Sequence, residues 1–179
     1  MTRKLHIGCG KNYLPGWTNV DLFSTVKADV YADITALPFD RGSFDIIYAS
    51  HVLEHVQRNT VIATLSHWRD LLSPGGILRL AVPNFEAVAK RYVATGELAE
   101  LMGLLYGAQN HPKNNHFVIF DSKSLSQALV GAGFEAHRIR AWEWRETEHA
   151  QYDDYSQCYL PHMDKDHGQL MSLNVEAIK

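Results

Sequence analysis

Glycines, acids and a histidine stand at the ends of successive apolar runs near the start of the chain. The set consists of Gly8, Gly10, Asp21, Asp33, Ser50 and His51. Glycine lets a backbone turn sharply and approach a ligand, and the N–H groups of such a turn can meet a carboxylate. Carboxylates accept hydrogen bonds from ribose hydroxyls or an exocyclic amine. Each residue alone is equally typical of an ordinary turn or strand end, but the ordered set indicates a nucleoside site.

The elements that would position this set alternate between strand and helix patterns. Short apolar runs at 5–7, 17–21 and 30–32 predict strands, and the near-continuous run 44–49 is typical of a strand buried on both faces. Apolar residues within 59–72 recur at i, i+4, i+7 and i+11, which predicts an amphipathic helix that ends at a Pro-Gly-Gly turn.

The later chain continues the alternation. We expect a strand at 77–82, helices near 85–95, 97–106 and 122–130, and strands at 134–144 and 170–178. This order predicts an α/β fold: a doubly wound, mostly parallel sheet with helices on both faces and antiparallel C-terminal edge strands. Ligands of such sheets bind beyond the carboxyl ends of the strands, where the strand order reverses.

The first crossover is short. Only about nine residues separate the first two predicted strands, whereas a parallel crossover needs about a dozen or more. The first helix must therefore be shortened to about one turn, unless the register of Asp21 is wrong.

Length and composition limit the classes of protein to which this chain can belong. The chain of 179 residues has 46% hydrophobic residues and a net charge of −3, which suits one domain over 1–179 and offers no basic field for nucleic acid or membrane. Two cysteines form no disulfide framework or metal box, and no apolar stretch approaches the roughly 18 residues of a membrane span. We expect a cytoplasmic protein. Trp142 and Trp144 would pack on the sheet or at a subunit contact, which leaves a homodimer open.

Several histidines could do acid–base chemistry. The candidates for a base near neutral pH are His51, Glu54, His55 and His116, with His51 and His116 preferred. The segment HVLEH (51–55) also echoes an inverted zinc-ligand motif, but it begins at a strand end rather than inside a long helix, so we expect no metal. Tyr13 occupies the third glycine position of a dinucleotide fingerprint, which disfavours NAD and FAD.

Four motifs together resemble the class I S-adenosylmethionine (SAM)-dependent methyltransferases. They are LHIGCG (5–10), NVDL (19–22), ADITALPFDRGSFDIIYASHVLEHV (32–56) and LLSPGGILRLAVPN (71–84). The later segments 116–135 and 172–179 resemble the small methyltransferases of bacteria within that family. The resemblance implies SAM as cofactor and a methyltransferase activity.

The resemblance also implies roles for single residues. Gly8-Cys9-Gly10 would hold the amino-acid end of SAM, and Asp21, followed by Leu22, would bind the ribose. Asp33 would accept from the adenine amine while Ile34 packs on the ring. Ser50 and His51 would line the methionine side and face the methyl group.

The acceptor is the least determined part of the function. The resemblance favours a small, hydroxylated or sugar-like acceptor, and the alternative is a non-catalytic module that binds SAM for regulation or assembly. The polar segment 145–169 reads equally as a lid, whose Tyr152, Asp153, Tyr155 and Tyr159 would touch the acceptor, or as a surface connection.

Overall fold

Nine strands form one seven-stranded sheet and one two-stranded ribbon in the computed structural model, which describes residues 2–179. The strands are β1 Lys4–Ile7, β2 Thr18–Asp21, β3 Val30–Tyr31, β4 Phe44–Ser50, β5 Leu72–Pro83, β6 Ile139–Ala141, β7 Tyr159–Leu160, β8 Gln169–Leu170 and β9 Ser172–Ile178. The large sheet has the order β3-β2-β1-β4-β5-β9-β6, and β7 pairs with β8.

Strand direction confirms the predicted fold class. The first five strands are parallel, and β9 runs antiparallel to both β5 and β6. The chain runs outward from β1 to β3 and then returns to place β4 on the other side of β1, so the strand order reverses between β1 and β4. The carboxyl ends of these strands therefore meet at one edge, where this fold places its ligands.

Within residues 2–179, four α-helices connect or follow the strands. They are α1 Val61–Leu71, α2 Phe85–Thr95, α3 Met102–Tyr106 and α4 Ser122–Gly131. The Asn84 side chain caps α2, and Gly96 ends it in a left-handed conformation. Asp121 and Ser124 form a reciprocal capping box at the start of α4. The predicted helices at 59–72, 85–95 and 122–130 are thus confirmed within two residues.

The sequence predicted helices on both faces of the sheet, but in the described part of the chain only one face is covered by α-helices. On one face, Leu65 and Trp68 of α1 and Leu125 and Leu129 of α4 pack against the strands, and all four are fully buried. On the other face, Tyr48 of β4 lies in a separate cluster, which is covered by turns and irregular segments rather than by an α-helix. That cluster contains Leu14, Trp17, Tyr48, Ile46, Trp142 and Tyr152.

The connection between β1 and β2 has no helix, although the sequence predicted one of about one turn. Residues 8–17 contain turns and no helix, yet β1 and β2 pair in parallel register. Asn19, which is fully buried, holds this segment: its amide nitrogen donates to the carbonyls of Leu14 and Trp17, and its side-chain oxygen accepts from the Leu14 N–H. A side chain thus supplies the hydrogen bonds that a helix would otherwise satisfy internally.

The predicted strand at 134–144 was too long. Residues 136–138 form a 3₁₀ turn, and only Ile139–Ala141 pair with β9. Trp142 then turns onto the sheet, where its indole N–H donates to the Leu80 carbonyl at 2.9 Å, and Trp144 is buried against Tyr159. The two tryptophans therefore pack within the chain. No helix among residues 2–179 is long and apolar enough to cross a membrane.

Candidate functional site

A cavity of about 910 Å³ opens at the carboxyl ends of the parallel strands. It brings together seven of the residues that the sequence predicts to bind the cofactor. They are Gly8, Gly10, Asp21, Leu22, Asp33, Ile34 and His51. Their positions in the sequence span 44 residues, so it is the parallel pairing of β1 to β4 that makes them neighbours.

The glycine turn after β1 forms one wall of the cavity. Gly8 and Gly10 both have left-handed backbone conformations, and a Cβ at Gly8 would collide with the side chain of Val52. The Gly10 N–H donates to one carboxylate oxygen of Asp21 at 2.8 Å, and the Phe23 N–H donates to the other at 2.9 Å. Asp21 therefore joins the turn to the end of β2, and each of its oxygens keeps a second lone pair for a ligand.

Asp33 forms a second acidic position in the same cavity. Its Oδ1 accepts from the backbone and hydroxyl of Thr35, and its Oδ2 lies 3.3 Å from the ammonium of Lys113. The Thr35 backbone hydrogen bond is the main cause that lowers the pKa of Asp33, so the carboxylate is ionised near neutral pH. A charged acceptor here suits a nitrogen donor of the ligand.

Two predicted cofactor residues do not line this cavity. Cys9 is buried, with its thiol 3.6 Å from the Lys27 carbonyl, and burial raises the pKa of the thiol to about 11. The Ser50 hydroxyl lies 3.3 Å from Asp154 on the side of β4 that also carries Tyr48, which bonds to the same carboxylate. The two-residue alternation along the strand thus points Ser50 away from the cavity.

His51 stands at the centre of the wall in an unusual backbone conformation. Its φ is 51°, a left-handed value that is uncommon for residues other than glycine and that recurs at functional sites. Its Nε2 lies 3.2 Å from the Ser172 hydroxyl, and Tyr155 packs on the ring at a centroid distance of 5.3 Å. Because the Ser172 hydroxyl donates to Asn174, it must accept from His51, which places the imidazole proton on Nε2.

Glu54 is fully buried beside His51, and neither of its carboxylate oxygens has a hydrogen-bond partner. Its Oε1 lies 3.4 Å from Nδ1 of His51 and 3.9 Å from Nε2 of His116. Burial raises the pKa of Glu54 to about 8 and lowers the pKa of His51 to about 3. At pH 7 both groups are therefore neutral, so their contact is not an ion pair.

His116, the second predicted catalytic residue, lies beside a different cavity. His116 lines a neighbouring cavity of about 510 Å³ and not the larger one. This cavity is mostly apolar, with Val61, Ile62, Leu105, Phe120 and Ala128 among its lining residues. Phe117 lines both cavities, so the two adjoin at His116 and Phe117. Burial lowers the pKa of His116 to about 4, which leaves its imidazole neutral at pH 7.

The loop 110–114 closes the cavity from a part of the chain that the sequence did not assign to the site. Lys113 reaches Asp33, and the His111 ring meets Phe23 edge-on at 4.9 Å. No sequence signal connects a polar loop to an acid 80 residues earlier. The position of this loop is set by tertiary packing alone.

The hypothesis that 145–169 is an acceptor lid is mostly wrong. Tyr152 packs in the cluster on the helix-free face, and Tyr159 bonds to Trp144. Neither they nor Asp153 lines either cavity. Tyr155 alone contacts the site, through the ring of His51. The segment chiefly covers the sheet, because the short crossovers leave that face without helices.

Comparisons with known proteins agree with this geometry. The methyltransferase domain family matches residues 3–139. A highly reducing polyketide synthase of Aspergillus sclerotiorum is 35% identical over 131 residues, which are 73% of this chain but 5% of that protein. The chain thus spans a small part of the curated relatives it matches.

Solved structures show the same fold. A SAM-dependent methyltransferase of Thermotoga maritima superposes with a TM-score of 0.63 at 16% identity, covering 100% of this chain and 83% of the other. One from Mesorhizobium loti gives 0.62 at 18% identity, covering 99% and 91%. The chain belongs to the methyltransferase domain family, the class I enzymes whose cofactor is S-adenosylmethionine.

Proposed function

We propose that this chain transfers the methyl group of SAM, bound in the larger cavity, to a small acceptor that approaches from the adjoining apolar cavity. The observation that carries the proposal is the convergence of the glycine turn, two acids and His51 on one cavity of about 910 Å³. Three types of group on SAM need matching partners: a carboxylate, ribose hydroxyls and an adenine amine. The cavity offers the glycine turn, Asp21 and Asp33 on its wall.

Each residue then has a defined role. The turn around Gly8 and Gly10 would hold the amino-acid end, Asp21 the ribose hydroxyls and Asp33 the adenine amine. Ile34 and Leu22 would pack on the nucleoside. His51, at the carboxyl end of β4, would face the methyl group. Cys9 and Ser50 would support the turn and the strand end without touching the cofactor, because their side chains point elsewhere.

Methyl transfer from a sulfonium requires little covalent catalysis. The donor is already activated, so the chain must place the acceptor atom roughly 3–3.5 Å from the methyl carbon and exclude water. A proton acceptor is needed when a hydroxyl or an acidic carbon is methylated. His51, which keeps a lone pair on Nδ1, is the proposed group for this step, His116 would line the acceptor side, and the boundary at Phe117 is where acceptor and donor would meet.

The apolar cavity refines the choice of acceptor. A sugar-like acceptor would leave hydroxyls facing the Val61, Ile62 and Leu105 side chains, at a cost of about 1–3 kcal/mol for each unpaired group. We therefore propose an acceptor with an apolar body and one hydroxyl or activated carbon at the reacting end. The acceptor is inferred from the lining of the cavity and not from the polyketide synthases among the relatives.

Isothermal titration calorimetry with SAM and with its demethylated product tests cofactor binding. We expect micromolar affinity, weakened about 10-fold or more in Asp33→Ala, because a charge-assisted hydrogen bond contributes about 1.5–3 kcal/mol. Asp166→Ala, which removes an exposed acid far from the cavity, is the matched control. Absence of SAM binding by the folded wild-type chain would refute the proposal.

Turnover is tested separately. Release of the demethylated cofactor is measured against a panel of aromatic and acyl hydroxyl compounds and activated methylene compounds. His51→Gln is expected to lower turnover while the dissociation constant of SAM stays within about 2-fold, since His51 lies at the methyl end rather than at the nucleoside. SAM binding without turnover on any acceptor would instead favour the non-catalytic module.

A further inference from the structure

A buried group of two histidines and one glutamate lies where the two cavities adjoin. A carboxylate oxygen of Glu54 and one ring nitrogen each of His55 and His116 all lie within 4.8 Å of one another. His55 lines the proposed cofactor cavity and His116 lines the apolar cavity. We expected no metal here, because HVLEH does not lie in a long helix, and nothing in the sequence places His116 beside this motif.

The unpartnered carboxylate is the first observation that points to a ligand. Glu54 is completely buried, and both of its oxygens lack a hydrogen-bond partner. A buried polar group without a partner destabilises the fold, and more so when it is charged, so native structures rarely leave one. Its Oε1 faces the imidazoles of His51 and His116 at 3.4 and 3.9 Å.

The orientation of the histidines is the second observation. Nδ1 of His55 lies 3.1 Å from the Asn115 carbonyl, and Nδ1 of His116 lies 3.0 Å from the Leu104 carbonyl. Because a carbonyl can only accept, both Nδ1 atoms carry the proton and both Nε2 atoms keep a lone pair. Backbone carbonyls fix the ring and tautomer of metal-binding histidines in this way.

The backbone holds both sides of the group in place. The Phe117 N–H donates to the carbonyl of Glu54 at 2.8 Å, and the His116 N–H donates to the carbonyl of Tyr106 at 3.1 Å. Gly107 has a left-handed φ of 74°, and a Cβ there would collide with the Asn114 backbone and press on the His116 ring. The two segments that carry the ligands are therefore tied to each other.

We propose that Glu54, His55 and His116 bind a divalent transition-metal ion of the zinc class. Two imidazoles and one carboxylate are a donor set that such ions favour. Ligand atoms about 2.0–2.1 Å from a tetrahedral ion lie about 3.3 Å apart. The 3.9 Å between Glu54 and His116 must therefore close by about half an ångström, and separations of up to 4.8 Å within the group by up to about 1.5 Å. Three protein ligands leave a position open toward the cavities.

A metal ion at this site would also affect the proposed methyl transfer. An ion in this wall would polarise an acceptor oxygen beside the methyl donor and lower the pKa of its hydroxyl. This consequence rests on the proposed function, whereas binding of the ion does not. His51, whose Nδ1 lies 3.4 Å from the same carboxylate, would remain outside the ligand set because it does not belong to the three residues whose ligand atoms all lie within 4.8 Å of one another.

Cobalt(II) titration of the untagged, chelator-treated chain tests the proposal without SAM or an acceptor. We expect one equivalent to bind and to give visible d–d absorption bands of a four- or five-coordinate site. Glu54→Gln, His55→Ala and His116→Ala should each weaken binding by about 100-fold or more, since even an outer-shell partner is worth about 10- to 100-fold. His167→Ala, which removes an exposed loop histidine, should bind as the wild type does.

A second measurement covers variants that fold poorly. Zinc(II) should raise the melting temperature of the wild type and of His167→Ala but not of His116→Ala. The proposal is overturned if the folded wild type shows no d–d bands, or if His116→Ala binds cobalt as tightly as the wild type. SAM calorimetry on the same preparations separates the two proposals: SAM binding without cobalt binding defeats only the metal site, and the reverse defeats only the cofactor site.

Discussion

Gly8 shows how one residue can set the shape of the proposed cofactor turn. Its φ of 66° is unfavourable for a residue with a Cβ, and its Cα faces Val52 so closely that no side chain fits. Gly16 has a comparable φ of 80° but open space around it. A comparison of substitutions at these two glycines therefore separates the free-energy cost of a left-handed backbone from the cost of a collision with Val52.

Gly8→Ala is expected to lose more stability than Gly16→Ala. Both substitutions incur the left-handed penalty of about 1–2 kcal/mol, and Gly8→Ala adds overpacking of about 1–3 kcal/mol against Val52. Gly8→Ala should also weaken SAM binding, because relief of the collision moves the turn. Urea unfolding and calorimetry measure both effects. Equal losses in the two variants would mean that Val52 yields without cost.

At the scale of single residues, the sequence predicted the candidate site residues that directly follow a strand. Gly8, Asp21, Asp33 and His51 were all predicted, because the end of a parallel strand fixes where the next residue lies. Lys113 and the convergence of His116 on Glu54 were not predictable, since both depend on how the loop after α3 folds back. Ser50 was assigned to the wrong side, because the near-continuous apolar run of β4 does not show which of its faces reaches the cavity.

At the scale of elements, the helix-free connection between β1 and β2 is the main departure from the fold's usual form. The sequence predicted a shortened helix from the length of the connection, but it gave no indication that the Asn19 side chain would replace it. Asn19 combines three backbone contacts with a 3.2 Å contact from its Oδ1 to the ring of His6. The connection thus depends on one buried amide.

Asn19→Leu is expected to destabilise the chain by about 3 kcal/mol or more. It leaves the Leu14 N–H and the Trp17 carbonyl without their side-chain partner, at about 1–3 kcal/mol for each buried group, while the Leu14 carbonyl keeps only the Trp17 N–H. Asn12→Leu is the control, because Asn12 makes one exposed contact with the Asp153 carbonyl and should lose less than about 1 kcal/mol. Urea denaturation measures the difference, and a loss under 1 kcal/mol in Asn19→Leu would show that water replaces the amide.

The loop 110–114 is the second element whose role can be tested. Lys113→Ala removes its contact with Asp33 across the cavity, so the bound cofactor should dissociate about 2- to 5-fold faster, the effect of an exposed ion pair of up to about 1 kcal/mol. Stopped-flow displacement measures the rate, and the difference should shrink at high salt. Lys123→Ala, on an exposed position of α4, is the control. Slower dissociation would indicate instead that Lys113 competes with the ligand for Asp33.

At the scale of the whole molecule, the face of the sheet that no α-helix covers carries a buried polar cluster. The Arg79 guanidinium bonds to Glu176 at 2.8 Å and contacts Glu148 at 3.2 Å, and its Nη1 lies 3.2 Å from Nε2 of His149. Because a guanidinium can only donate, His149 must accept, which requires a neutral imidazole. The ring of Tyr48 covers His149 at 4.2 Å.

This cluster predicts sensitivity to acid. Burial, reinforced by the Arg79 charge and by His6, lowers the pKa of His149 to about 4, against the raising effects of Asp154 and Glu148. The unfolded chain, with an ordinary histidine pKa near 6.5, binds the proton more readily than the folded chain between pH 6.5 and 4. The stability of the fold must therefore decrease as the pH falls through this window.

His149→Gln should remove the part of this dependence that His149 contributes, because a glutamine oxygen can accept from Arg79 and cannot be protonated. At about 1.4 kcal/mol per pH unit, the wild type should lose on the order of 2–3 kcal/mol more than the variant between pH 6.5 and 4.5, or about 5–10 °C in melting temperature. His167→Gln, at an exposed position, should follow the wild type. Thermal melts between pH 6.5 and 4.5 measure the difference. If the melting temperatures of the wild type and of His149→Gln fall in parallel, a group other than His149 causes the acid sensitivity.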